Sequence, residues 1–393
     1  MLLKAAKKFL HYKRDLLAED RISEIESRRT DLKEAIKSKD LAAVKETSKQ
    51  LRNTCEKSLA HYRQPDWLAE NIEVFWVAIV VALGIRAFFL QPFRIPTGSM
   101  QPSLNGIVAT EKHEEAGWEK PWLGKQAVDF LISGRSYHNI VAEKDLTVRS
   151  IADSSFFLFS STKITFDDGS SVKIGCPQNE ALGIGSIKQI FVNDDPRTGQ
   201  LRRGPHFKKG DPIFQGYLTS GDLVLVDKLS YHFRSPKRGE SFVFDTRGID
   251  TSGSGKDMSS QASGTHYIKR LVGVPGDTLR IEAPNLYVNG ELAKEETILR
   301  VAARGKDSKG ELYPGYSNPQ GSNPSSKFKS SKYTLTLNDP EGKTNYREFF
   351  ALGDNSPNSL DSRYWGTVKQ HNLVGPAFIS LWPFTSGHWG LIK

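Results

Sequence analysis

Two residues of this 393-residue chain stand where nucleophilic chemistry needs them. Ser99 lies within Pro96-Thr97-Gly98-Ser99-Met100-Gln101-Pro102, a turn stiffened by proline and opened by glycine. Lys269 lies within Tyr267-Ile268-Lys269-Arg270-Leu271-Val272-Gly273-Val274, a Lys-Arg pair inside an otherwise apolar strand pattern. A serine needs a base to become a nucleophile at neutral pH, and histidine is the usual one. No histidine here stands in a triad-like motif; His266, three residues before Lys269, is the nearest candidate. Strand alternation puts Lys269 on the face of Tyr267 and Leu271, and apolar surroundings disfavour an ammonium. The free amine would then accept the serine proton, whereas the guanidinium of Arg270 does not deprotonate in proteins. The competing role for Lys269 is an exposed edge-strand charge that discourages aggregation.

The elements that must position these groups begin with a membrane-length apolar run. Residues 72–90, IEVFWVAIVVALGIRAFFL, number 19, close to the ~20 a helix needs to cross a bilayer core of roughly 30 Å. Its only charges, Glu73 and Arg86, lie near the ends, where long side chains reach the interface. Trp67, Trp76, Phe88, Phe89 and Phe93 suit the headgroup levels. Residues 1–66 carry 16 Lys/Arg against 11 Asp/Glu; the basic residues beside the run, Lys57 and Arg63, place the amino terminus in the cytoplasm and everything after Leu90 outside it. The run is expected to remain as a single-pass anchor, since a cleaved signal segment is shorter and lies at the extreme amino terminus. Ser99 follows the run by nine residues, which reach at most ~30 Å. Its hydroxyl is therefore tied close to the membrane surface.

The formal charge of +9 admits nucleic-acid binding, but no helix-turn-helix, zinc or RNP pattern accompanies it. A basic cytoplasmic flank and attraction to anionic lipid explain the charge, and no nucleic-acid partner is expected. Cys55 and Cys176 fall on opposite sides of the apolar run, so no disulfide between them is expected. No Cys/His cluster has metal-ligand spacing, and no metal or organic cofactor is expected.

Residues 1–62 read as helix: Leu16, Leu17, Ile22, Ile25, Leu32, Ile36 and Leu41 recur mostly every three to five residues, with a break at Ser38-Lys39-Asp40. After Leu90 the pattern becomes short alternating runs: 156–164, 172–174, 222–229, 241–244, 267–274, 278–281, 286–288, 333–337, 348–352 and 377–382. These predict a mainly β, antiparallel extracytoplasmic domain. Residues 250–264 and 304–330 are Gly/Ser/Asn-rich and read as loops. The stretch 105–220 is too long for a loop and reads as an inserted β-rich subdomain. The expected organisation is thus a helical cytoplasmic region over 1–66, a transmembrane helix over 72–90, and a β catalytic domain from 91–104 and 221–393 that the insertion interrupts.

Four segments in order resemble the bacterial type I signal peptidase (leader peptidase) family. They are the span followed by Pro96-Thr97-Gly98-Ser99-Met100-Gln101-Pro102-Ser103-Leu104; Gly221-Asp222-Leu223-Val224-Leu225-Val226-Asp227-Lys228; Tyr267-Ile268-Lys269-Arg270-Leu271-Val272-Gly273-Val274-Pro275-Gly276-Asp277; and Gly353-Asp354-Asn355-Ser356-Pro357-Asn358-Ser359-Leu360-Asp361-Ser362-Arg363-Tyr364-Trp365-Gly366. They cover about a sixth of the chain; their specificity lies in their order behind a membrane anchor.

The resemblance implies a Ser/Lys-dyad serine endopeptidase of the bacterial cytoplasmic membrane that removes signal peptides from exported preproteins after small residues. It implies Ser99 as nucleophile, Lys269 as general base, and an oxyanion hole from the Ser99 backbone N–H and the Thr97 hydroxyl. It also implies that Ser359 positions the lysine and that Asp361 and Arg363 support it. Where the family usually has Arg-Asp after Gly-Asp-Asn, this chain has Ser356-Pro357, which removes one charge pair. The signal peptide and the lipid bilayer are the expected partners. The rival from another class is a catalytically inactive signal-peptidase-like membrane scaffold. It requires that Ser99 and Lys269 lie apart in the fold.

Overall fold

A computed structural model describes residues 2–58, 67–112, 115, 117–154, 160–184, 187, 205–249, 265–303, 305, 313–319, 328, 330–339 and 346–392. The expected loop 250–264 lies outside these, as does most of 304–330 and the start of the strand expected over 156–164. The chain divides into two compact units, Met1–Val81 and Ala82–Lys393.

In the first unit, α1 (Leu2–Lys13), α2 (Glu19–Lys37) and α3 (Leu41–Lys57) enclose Ala6, Leu10, Leu17, Ile25, Leu32 and Leu51. The break falls where Ser38-Lys39-Asp40 foretold it. Lys39 takes a left-handed φ of 56°, and the Asp40 side chain accepts from the Ala42 and Ala43 N–H groups to start α3. A second break, a 3₁₀ turn at Arg14–Leu16, separates α1 from α2 and was not legible in the pattern of leucines. Helix α4 (Trp67–Phe88) contains a stretch, Asn71–Phe88, that is long and apolar enough to cross a membrane, and no residue of that stretch is buried within the protein. The helix stops two residues short of the apolar run's end. Lys228 donates from Nζ to the Ala87 carbonyl at 2.6 Å and from its backbone N–H to the Phe89 carbonyl, and Leu90 is drawn into strand pairing.

The second unit is mainly antiparallel β. Its largest sheet comprises β1 (Leu90–Arg94), β2 (Leu223–Asp227), β3 (Ser241–Asp245), β4 (His266–Gly273), β5 (Glu348–Leu352), β6 (Val368–Lys369), β7 (Leu373–Trp382) and β8 (Gly390–Leu391). Their spatial order is β1-β2-β7-β3-β4-β5-β6, with β8 beside β7. Alternation explains the placement of each strand. Val224 and Val226 of β2 turn inward to a core that includes Ile95, Met100, Leu104, Val243 and Ala377. Central strand β3 is covered on both faces: Val243 joins that core, while Phe242 and Phe244 join Leu271, Phe349 and Ala351 in another. A smaller sheet of Thr278–Glu282, Asn285–Val288, Glu291–Leu292 and Thr334–Thr336 packs around Val272, Phe350 and Leu352.

Between residues 105 and 220 the described chain forms two further sheets. One contains Val108–Glu111, Pro212–Thr219 and Arg135–Val141; the other contains Ser171–Ile174, Thr162–Phe166, Leu146–Asp153 and His206–Phe207. They share a core of their own around Ile164, Phe166, Phe207, Phe214 and Leu218. This stretch also holds a helix that strand-like patterning did not foretell, α5 (Leu123–Ser133), which ends on Gly134 in the left-handed conformation, φ 65°.

Candidate active site

The turn that carries Ser99 is held from below by apolar anchors and from the side by hydrogen bonds. β1 gives way to Ile95, whose N–H donates to the Asp222 carbonyl, and the chain then tightens into a 3₁₀ turn at Gly98–Met100. Met100 and Leu104, fully buried, fix this turn in the core beneath β2 and β3. Asn355 grips it from above. Its backbone N–H donates to the Ser99 carbonyl at 3.0 Å, and its Nδ2 donates to the Gly98 carbonyl at 3.2 Å.

Gly353 allows that approach. A Cβ there would lie 2.5 Å from the Ser99 carbonyl oxygen and 2.1 Å from Ser359 Oγ, so no larger residue fits without displacing one of them. Gly106 does the same on the other side, where a Cβ would meet the Thr97 carbonyl carbon at 2.2 Å.

Lys269 reaches the serine across 170 residues of sequence: its Nζ donates to Ser99 Oγ at 2.6 Å. Both side chains are buried, Lys269 at 4% exposure and Ser99 at 6%. Burial of the lysine side chain rules out the alternative of an exposed edge-strand charge. Burial pushes its pKa down to about 8; the Asp361 and Asp354 carboxylates pull it back up, and Arg363 adds to the depression. His266 also borders the site, but its ring packs against Phe93 at 5.1 Å, and among the described residues no hydrogen bond links it to Ser99.

Thr97 lines the groove in front of the dyad. Its side chain makes no capping hydrogen bond to the 3₁₀ turn it precedes, so its hydroxyl is not committed to local turn geometry. Ser99 is an early residue of that turn, where backbone N–H groups have no partner within the turn itself. Ser359 is buried beside Gly353, and among the described residues its Oγ has no hydrogen-bond partner. The residue expected to aim the lysine is thus close to the nucleophile's turn, without a bond to the lysine here.

Asp361 and Arg363 form one buried, two-toothed ion pair, Nε to Oδ1 at 2.7 Å and Nη2 to Oδ2 at 2.8 Å. Asp361 also accepts from the Gly353 N–H, while Arg363 donates to the carbonyls of Ser317, Ser356 and Ser359. The pair thereby fixes the loop that carries Ser359 and the glycine that touches Ser99. Ser356-Pro357 sits within this loop as a 3₁₀ turn, and its carbonyl is one of Arg363's acceptors. A second buried pair went unread in the sequence: Arg270 meets Asp354 through Nη2–Oδ2 at 2.5 Å and Nε–Oδ1 at 3.1 Å, with neither side chain exposed. The signal was present, because two adjacent cations in an apolar strand point to opposite faces and both need an answer. Asn355 had no comparable signal beyond its place in a turn.

The dyad opens onto a groove of about 460 Å³. One wall is residues 93–97 at the end of β1 and the turn, and the other is residues 265–269 at the start of β4. β5 pairs with β4 only from Arg270 onward, and β1 ends the strand order with β2 as its partner. Asp153, Ser160 and Pro177 from the 105–220 stretch, with Val243, Asn358 and Leu360, complete the lining.

A profile of the family described as "Signal peptidase, peptidase S26" matches residues 215–382, which hold Lys269, Ser359, Asp361 and Arg363 but not Ser99. A signal peptidase I of Bacillus caldolyticus is 30% identical over 169 residues, 42% of this chain and 73% of its own. The chain belongs to the signal peptidase I family. A probable signal peptidase I-2 of Synechocystis sp. is likewise 30% identical over 166 residues, 42% of this chain and 57% of its own. The chain thus spans under two thirds of that relative's length. A solved signal peptidase I from Enterococcus faecalis V583 aligns at 25% identity over 36% of this chain and 97% of its own, with a TM-score of 0.22. The matched profile takes in the end of the Pro212–Thr219 strand and leaves residues 1–214 outside it.

Proposed function

We propose that this chain is a membrane-anchored serine endopeptidase that removes signal peptides from exported preproteins through an acyl-enzyme on Ser99. The observation that carries the proposal is the 2.6 Å contact between Lys269 Nζ and Ser99 Oγ in a buried site that disfavours the ammonium. With Lys269 neutral, the same contact runs the other way, and the amine accepts the serine proton as Oγ attacks the scissile carbonyl. The Ser99 N–H and the Thr97 hydroxyl receive the developing oxyanion; a donor so placed contributes roughly 3–4 kcal/mol of transition-state stabilisation. Lys269 then returns its proton to the leaving amine of the mature protein. It next takes a proton from the water that cleaves the ester, releasing the signal peptide and restoring Ser99. Ser359, with Asp361 and Arg363 behind it, serves to position this machinery.

The substrate would bind as an added strand between the edges at residues 93–95 and 266–268. Close groove walls would admit only small side chains next to the scissile bond. Helix α4 would cross the bacterial cytoplasmic membrane once, with the amino-terminal helices on the cytoplasmic side. In this arrangement residues 91–104 and 221–393 make an extracytoplasmic catalytic domain, and 105–220 an inserted β-rich subdomain. The inactive-scaffold alternative loses its ground where the two dyad side chains touch. Cleavage of a membrane-embedded preprotein by the full chain tests the proposal. Ser99→Ala and Lys269→Ala should each abolish processing while leaving the fold intact, and full processing by Lys269→Ala would overturn the dyad.

A further inference from the structure

The 105–220 stretch grows out of the groove's own wall. Where it begins, the Ile107 N–H donates to the Pro96 carbonyl at 3.2 Å, and Gly106 lies too close to Thr97 to leave room for a Cβ. Its return is as tight, since a Cβ on Gly221 would lie 1.8 Å from the Ile95 carbonyl oxygen. Ile95, Pro96 and Thr97 all line the groove. Both ends of the stretch are therefore fixed against the turn that carries Ser99.

From that root the packing leads back to the groove. Ile107 is buried in the same core as Cys176 and Ala181, which stand on either side of Pro177. The Cys176 carbonyl accepts from Thr162 Oγ1 at 2.8 Å, and Thr162 pairs across the hairpin with Asp153. Gln178 Nε2 closes the circuit by donating to the Ile151 carbonyl at 3.2 Å. One connected set of contacts thus holds Pro177 and Asp153, and both line the groove beside Ser99 and Lys269.

Asp153 changes the chemistry of that groove. Phe93, Ile95, Val243, Ile268 and Leu360 give it apolar surface, and its cations are engaged: Arg94 donates to Ser220 Oγ and Lys269 to Ser99 Oγ. Asp153, an exposed residue, brings the one carboxylate among the described lining residues. A substrate strand laid along residues 93–97 sets about five of its residues against that wall, at roughly 3.3 Å each. Backbone pairing binds such a strand whatever its sequence, and the groups its side chains meet decide which sequences are accepted. A fixed carboxylate favours a cationic side chain and repels an anionic one.

We propose that the 105–220 subdomain is a third wall of the substrate groove, and that Asp153 selects peptides with a lysine or arginine within about five residues of the scissile bond. The proposal rests on the peptidase reading of the Ser99–Lys269 pair. It adds a charge preference that a requirement for small residues at the bond does not supply.

The test uses the solubilised full chain and quenched fluorescent peptides with an Ala-x-Ala cleavage site. Lysine or glutamate is placed singly at each position within about five residues of the bond on either side, and kcat/KM is measured for each pair. Taking the Lys-to-Glu ratio cancels any general loss of activity in a variant. The expected result is a preference for lysine of about fivefold at one position, or at two on the same face, the upper range for an exposed charge pair. Asp153→Asn should bring that ratio to about one, and Asp153→Lys should invert it. Salt at about 1 M should flatten the preference of the unaltered chain. Equal ratios in the unaltered chain and Asp153→Asn at every position, with the peptides still cleaved, would overturn this inference and leave the peptidase standing. Failure of the unaltered chain to cleave any of the peptides would overturn the peptidase and this inference with it.

Discussion

At the scale of single residues, two positions without reactive groups shape the turn that carries Ser99, the proposed nucleophile. Gly353 has no room for a Cβ between Ser359 Oγ and the Ser99 carbonyl. Gly353→Ala should therefore displace the Ser99 turn, lowering kcat by at least roughly a hundredfold, the scale set by misplacing a reacting group by 1 Å. Steady-state kinetics of the solubilised chain would check this, and an unchanged kcat would show that the crowding is tolerated. Asn355→Ala removes one hydrogen bond to Gly98 while keeping the backbone bond to Ser99. Its effect should be milder, about tenfold or less, in keeping with ~1–1.5 kcal/mol for one such bond. The pairing of Ser99 with Lys269 was legible because a serine in a stiff turn and a lysine in an apolar strand are chemically conspicuous. Gly353 and Asn355 were not, because close approach between segments 250 residues apart leaves no local mark.

At the scale of elements, the sequence announced strands through alternation and the break between α2 and α3 through Ser38-Lys39-Asp40. It misplaced boundaries where tertiary partners decide them: Lys228 ends α4 at Phe88, although the apolar run continues to Leu90. It left α5 unread although Leu123, Ala127, Phe130 and Leu131 keep helical spacing, because this short helix stands among strand-like runs. The two buried ion pairs belong to this scale too, since each locks a strand or a loop to its neighbour. Asp354→Ala would strand the Arg270 guanidinium with no exposure to water, and about 3–5 kcal/mol of stability should be lost. Denaturant unfolding of the solubilised protein would measure it; a change under 1 kcal/mol would mean that the Gly239 carbonyl, which already accepts from Arg270, suffices.

At the scale of the whole molecule, burying Lys269 ties folding to pH. Its pKa falls from the model-compound 10.5 to about 8 on folding, so between those values the unfolded chain binds the extra proton. Stability must then rise with pH across that window, by about 3 kcal/mol if this group acts alone. Below about pH 8 the folded chain carries the full cost of a buried ammonium. Lys269→Met should therefore raise the melting temperature at pH 7 and abolish this part of the pH dependence. Equal slopes for both proteins from pH 8 to 10.5 would show that the lysine is not perturbed. Under the proposed mechanism the same burial that strains the fold prepares the base, which sets stability against activity at this one side chain.

The most direct test is the pH dependence of kcat/KM for a signal-peptide substrate. At pH 7 only about a tenth of the Lys269 side chains are neutral if the pKa is about 8. The rate should therefore rise about tenfold per unit on the acid side and level off above an inflection near 8. A profile that stays flat from pH 9 down to about pH 5 would contradict a lysine base.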